Sequence, residues 1–95
     1  MDTARLAKIL KALSHQKRLE LYLQIAQKCE DDFETQCDCF ICDIIDSLKL
    51  GAPTVSHHLK ELVNADLITT ERQGKFLVAR ANKELLEEVR QMLKL

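Results

Sequence analysis

The sequence predicts a small, mainly α-helical domain carrying one β-hairpin, and three observations predict it. Apolar residues recur at helical spacing in several segments of the 95-residue chain. Only residues 67–80 alternate instead, around Gln73-Gly74, as two strands and a tight turn would. Two helical segments are joined by Gly51-Ala52, the short Gly-containing link of a helix-turn-helix. The length allows one domain, 1–95, with a core that is marginal on its own. With 4% aromatic residues and no Trp, that core must come from Leu, Ile and Val, and small helical domains often supplement such cores by dimerising.

The elements follow in order. Asp2 or Thr3 can cap a first helix with Leu6, Ile9, Leu10 and Leu13 on one face. Ser14 is expected to cap a second helix, Lys17 to about Lys28, with a stripe of Leu19, Leu21, Tyr22 and Ile25. Glu30 to Gln36 breaks the periodicity and is acidic, so an exposed loop is expected there. A helix from near Cys39 to Leu50 and another from Pro53 to Asn64 make the helix-turn-helix, about 40–64. Pro53 suits a first helical turn, where its missing N–H is not needed. Leu67 to Glu71 and Lys75 to Arg80 form the wing, about 67–80. Asn82 then caps a last helix bearing Leu85, Leu86, Val89, Met92 and Leu93. That is more apolar surface than one short terminal helix can bury, so the first and last helices are expected to form a homodimer interface. The fold class is therefore mainly α with a small β-wing, a winged helix-turn-helix.

The helix from Pro53 has a face meant for a ligand. Val55, Leu59 and Leu62 form an apolar stripe, and the other side presents Thr54, Ser56, His57 and Lys60. Short donors and one cation can reach phosphate oxygens or base edges, so double-stranded DNA is the expected partner. Arg72 and Lys75 in the wing are expected to neutralise phosphates. The net charge of −1 conceals an uneven distribution: residues 1–28 hold six Lys or Arg against two acids, and residues 29–48 hold seven acids and no Lys or Arg. Adjacent helical residues diverge by about 100°, so His57 and His58 cannot easily clasp one ion. The expected split is a DNA-facing His57 and a half-buried His58. His15 is expected to be exposed or satisfied.

Cys37-Asp38-Cys39-Phe40-Ile41-Cys42 is the one chemical constellation. On a helical turn Cys39 and Cys42 would share a face, and Cys37 would join from an extended approach. Three thiolates suit a soft ion. Trivalent arsenic or antimony takes three sulfurs in a pyramid, whereas Zn, Cd or Pb would seek a fourth ligand such as Cys29 or Asp38. A dithiol redox switch and inert buried cysteine stay open as alternatives. No run is apolar enough to span a bilayer, and the N-terminus lacks the apolar stretch of a signal peptide, so a cytoplasmic chain with reduced thiols is expected. Nothing suggests a Ser/His/Asp constellation or a phosphate-cradling Gly-rich loop, and an enzyme is not expected.

Residues 53 to 80 resemble the recognition helix and wing of the ArsR/SmtB family of metal- and metalloid-sensing repressors. The family's Ser-His-His-Leu signature stands as Ser56-His57-His58-Leu59, and its turn into a basic hairpin as Ala65-Asp66-Leu67-Ile68 through Arg72-Gln73-Gly74-Lys75. Leu10 to Leu21 resembles the family's Lys-Ala-Leu…Arg-Leu segment, here Lys11-Ala12-Leu13 and Arg18-Leu19. The resemblance implies a repressor that leaves its operator when a thiophilic inducer binds. It also implies a sensor pattern Cys-Val-Cys-Asp-Leu, which Cys42-Asp43 matches directly. The thiol expected at Phe40 stands at Cys39 instead. A second family site, built from Asp and His on the last helix, is not implied, because that helix has no His. The redox-sensing members' last-helix Cys is likewise missing after Cys42.

Overall fold

A computed structural model describes residues 1–31, 39–40 and 51–95. The elements are α1 (Thr3–Leu13), α2 (Gln16–Asp31), β1 (Cys39–Phe40), α3 (Ala52–Asn64), β2 (Ile68–Gln73), β3 (Phe76–Ala81) and α4 (Lys83–Leu93). The mainly helical architecture with its antiparallel hairpin is as the sequence predicts.

α1 starts where Asp2 accepts a hydrogen bond from the Arg5 N–H at 2.8 Å, which settles the cap on Asp2 rather than Thr3. It buries Leu6, Ile9 and Ala12. Leu10 remains 41% exposed, because the buried arc runs from Leu6 through Ile9 to Ala12 and Leu10 lies beyond its edge. Ser14 does not cap α2. It ends α1, with its N–H and its hydroxyl both donating to the Lys11 carbonyl. α2 opens one residue later, with its first helical bond from the Leu19 N–H to the His15 carbonyl. Leu21, Tyr22 and Ile25 are buried, whereas Leu19 lies on the far side of the helix from them and is exposed. Glu30 and Asp31, expected in a loop, continue α2.

The chain leaves α3 through a Schellman turn. Asp66 adopts φ +63°, its N–H bonds the Val63 carbonyl, and the Leu67 N–H bonds the Leu62 carbonyl. Asp is among the few residues that tolerate this left-handed conformation. Leu62 and Leu67 are both fully buried across the turn. β2 and β3 then pair in the register Thr70 with Ala79 and Glu71 with Val78. Gly74, at φ +62°, takes the first position of the two-residue turn, where hairpin geometry favours glycine. The sheet has a third strand the sequence did not predict. Cys39 pairs with Ala79 and Phe40 with Val78, so the order is β1-β3-β2 with β3 in the middle. This corrects the expected helix start near Cys39. An unpaired edge of β3 would leave backbone donors and acceptors to be satisfied elsewhere, and β1 satisfies them.

One core joins all these layers: Ile9 of α1, Leu21 and Ile25 of α2, Val55 and Leu62 of α3, Ile68 of β2, and Leu85 and Val89 of α4. Asn82 ties the last two elements to it. Its side-chain oxygen accepts from the Leu85 N–H, its amide donates to the Asp66 carbonyl, and its backbone N–H donates to the Leu67 carbonyl. Among the described residues, no helix is long and apolar enough to cross a membrane.

Candidate nucleic-acid interface

α3 is built to face outward at its N-terminus. Gly51 sits at the N-cap in an extended conformation without a side-chain bond, Pro53 occupies the first turn, and that turn holds no acid. Free N–H groups and the positive end of the helix dipole therefore point at solvent, which suits an anion. The apolar stripe falls as expected, with Val55, Leu59 and Leu62 buried. Thr54, Ser56, His57 and Lys60 are all exposed on the remaining faces.

The wing supplies the rest of the surface. A cleft of about 290 Å³ between α3 and the hairpin is lined by Ser56, Leu59, Lys60, Val63, Thr70 and Leu77. Arg72 is exposed near the end of β2, and Lys75 occupies the turn, with its ammonium 5.8 Å from the centre of the Phe76 ring. Arg80 is engaged differently, donating to Glu71 at 2.8 Å across the hairpin. Among the described residues, no carboxylate lies within ion-pairing distance of Lys60, Arg72 or Lys75. Their charge is available to phosphate.

His57 is exposed as expected, whereas His58 is buried more deeply than expected, at 3% exposure. Its Nδ1 accepts from the Arg18 Nε at 3.4 Å, its ring lies 4.7 Å from that of His15, and its Nε2 has no partner among the described residues. Burial holds the imidazole below its ordinary pKa, and His15, Arg18 and His57 push it the same way. Both effects favour the neutral ring, the form in which Nδ1 can accept from Arg18. Arg18 and His58 are forty residues apart, so no local sequence pattern signals this contact.

Cys37 and Cys42 lie outside the described residues, as does the remainder of the helix expected before Gly51. The backbone of Cys39 belongs to β1 and that of Cys29 to α2. Cys39 thus stands in a strand rather than in the helical turn expected for it, and its relation to Cys42 lies outside the described residues.

Residues 36–70 match the family described as bacterial regulatory proteins of the arsR family. The chain is 33% identical over 95 residues to an arsenical resistance operon repressor of Staphylococcus xylosus, covering 98% of this chain and 81% of that protein. A repressor of the same description from Staphylococcus aureus is 32% identical over the same shares. Among solved structures, an ArsR-like transcriptional regulator from Rhodococcus sp. RHA1 superposes with a TM-score of 0.77 at 21% identity, covering 97% of this chain and 78% of the other. A homodimeric winged helix-turn-helix DNA-binding domain from Mycobacterium bovis superposes at 0.72 and 18% identity, over 96% and 77%. The chain belongs to the ArsR family of bacterial regulatory proteins, DNA-binding transcriptional regulators rather than enzymes.

Proposed function

We propose that this chain is a homodimeric transcriptional repressor that releases its operator when trivalent arsenic or antimony binds Cys37, Cys39 and Cys42. The observation that carries DNA binding is the exposed face of α3, where Thr54, Ser56, His57 and Lys60 stand with no acid in the first turn. The inducer is supported by the thiol set, which suits a soft ion, and by the arsenical resistance repressors that the chain resembles. In the dimer, two α3 helices enter successive major grooves about 34 Å apart. Thr54, Ser56 and His57 meet bases or phosphates, and Lys60, Arg72 and Lys75 neutralise the backbone.

β1 gives the inducer a route to this surface. Cys39 pairs with Ala79 on β3, and Ala79 pairs with Thr70 on β2, so one backbone row runs from a sensor cysteine to the cleft beside α3. Drawing Cys39 toward Cys37 and Cys42 pulls on the middle strand of the wing sheet. A coupling of about 1.4 kcal/mol is already tenfold in operator affinity.

Fluorescence anisotropy of the reduced protein on its promoter DNA, titrated in parallel with arsenite, Cd and Zn, tests this. Arsenite is expected to release the wild type at stoichiometric levels. Cys42→Ser is expected to bind operator as tightly and to stay bound under arsenite. Normal release of that variant by arsenite rejects the thiol site. Release of the wild type by Cd or Zn alone brings Cys29 or a carboxylate into it, and release only on oxidation replaces the metalloid by a redox switch.

A further inference from the structure

α3 is flanked by two clefts, and only one belongs to the surface described so far. Successive helical residues step about 100° around the axis. Ser56, Lys60 and Val63 therefore border the cleft toward the wing, and Glu61, Asn64 and Ala65 lie on the opposite flank. The exposed stripe of Pro53, His57, Lys60 and Asn64 runs between them. That opposite flank borders a second cleft, of about 400 Å³, whose far wall is Lys8 and Lys11 of α1, Ser14 and His15 of the turn, and Arg18 of α2.

This second cleft is basic: among the described residues its charge is only partly compensated. Lys8 and Lys11 are exposed and have no carboxylate within ion-pairing distance among the described residues. Arg18 is fixed by two hydrogen bonds, to the Ala12 carbonyl at 3.2 Å and to the His58 Nδ1 at 3.4 Å. Both acceptors are uncharged, since a ring nitrogen that accepts a hydrogen bond carries no proton. The guanidinium is thus held in position with its charge intact, which lowers the entropic cost of engaging an anion. Glu61 is the one acid in the wall, set against three cations. The start of α2 adds the positive end of a helix dipole beside Ser14 and His15.

We propose that this cleft binds a backbone phosphate of the DNA duplex on the side of α3 away from the wing, with Lys8, Lys11 and Arg18 as its donors. The inference rests on α3 being the DNA-reading helix. A helix in a major groove about 12 Å wide has a sugar-phosphate strand on either side. Arg72 and Lys75 answer the strand on the wing side, and nothing in the surface already described answers the other. The wall of α1 and α2 stands there with matching charge. A free inorganic anion shares this chemistry, and the test separates the two sources.

The experiment measures operator affinity by anisotropy across about 50 to 200 mM salt, for the wild type and for Lys8→Gln/Lys11→Gln, on operator and on unrelated duplex. Both substitutions are at exposed positions, so melting temperature and circular dichroism are expected to be unchanged. The plot of log K against log salt is expected to become shallower by about 0.9 for each phosphate that the variant no longer neutralises, equally on both duplexes, because phosphate binding carries no sequence information. An unchanged slope overturns the proposal. If, in addition, inorganic phosphate raises the melting temperature of the wild type but not of the variant, the cleft is a free-anion site instead. A wild type that binds no duplex at any salt removes the DNA-reading role of α3 and this proposal together, whereas an unchanged slope on a binding wild type removes this proposal alone.

Discussion

His58 is a polar residue in an otherwise apolar set of inward positions on α3, and its surroundings give it a pH dependence. At 3% exposure it faces Arg18 and His15 from the first two helices and has His57 beside it on its own helix. Burial is the main reason its pKa is lowered, and all three neighbouring groups act in the same direction. The unfolded chain therefore binds a proton more readily than the folded one. Stability contributed by neutral His58 is complete above about pH 6.5 and is lost as pH falls through its lower folded value. The urea midpoint is expected to fall as pH drops from 7 to 5, and His58→Asn, whose side-chain oxygen can still accept from Arg18, is expected to flatten that fall. An equal fall in both proteins would locate the titration elsewhere. Periodicity correctly turned Val55, Leu59 and Leu62 inward and left Thr54, Ser56, His57 and Lys60 outside. The partners of His58 escaped it, since a contact between residues 18 and 58 leaves no trace in local spacing.

Among elements, the joint between α3, the wing and α4 is tied together through one residue, Asn82. Asn82 caps α4, holds the Asp66 carbonyl after the Schellman turn, and receives the chain at the end of β3. Replacing it by Ala removes the cap and that cross-link, and removing an N-cap typically costs about 1 kcal/mol. For a domain of this size each kcal/mol lowers the melting temperature by roughly 4–8 °C. Asn82→Ala is expected to show a drop of that order at fixed protein concentration, while Asn82→Asp, which keeps the capping oxygen, recovers most of it. The cap was legible in the sequence, as were the hairpin and the span of α3, because each has a local signature. Ser14 misled for the same reason: a residue suited to an N-cap can also end a helix, and here its hydroxyl goes back to Lys11. β1 was not legible because two residues cannot show an alternation, and only the edge of β3, forty positions on, makes Cys39 and Phe40 a strand. Under the function proposed above, induction therefore acts through a strand drawn against the wing.

At the scale of the whole molecule, the chain leaves apolar surface uncovered at its two ends. Leu86, Met92 and Leu93 on α4 are 40%, 38% and 40% exposed, Leu95 is 78% exposed, and Leu10 on α1 is 41% exposed. Leu85 and Val89 satisfy the core from the adjacent face of α4, so the remaining side chains are surplus to a monomer. Burying them against a second copy would supplement a core that a chain of this length makes only marginal. The wild type is therefore expected to sediment as a dimer at micromolar concentration. Leu93→Glu is expected to shift it toward monomer without loss of helical circular dichroism, since that side chain lies outside the core. Operator binding gives the sharper measure. Two linked reading heads gain from each other's attachment by on the order of a hundredfold, and this gain disappears when the heads separate. Leu93→Glu should therefore lose operator affinity while leaving the weak, salt-dependent affinity per protomer for unrelated DNA nearly intact. The Lys8→Gln/Lys11→Gln pair should do the reverse, weakening both duplexes alike and leaving the dimer whole. A variant that turned monomeric and still bound operator at full strength would mean that each copy reads its site alone, and the surplus apolar surface of α4 would then need a partner other than itself.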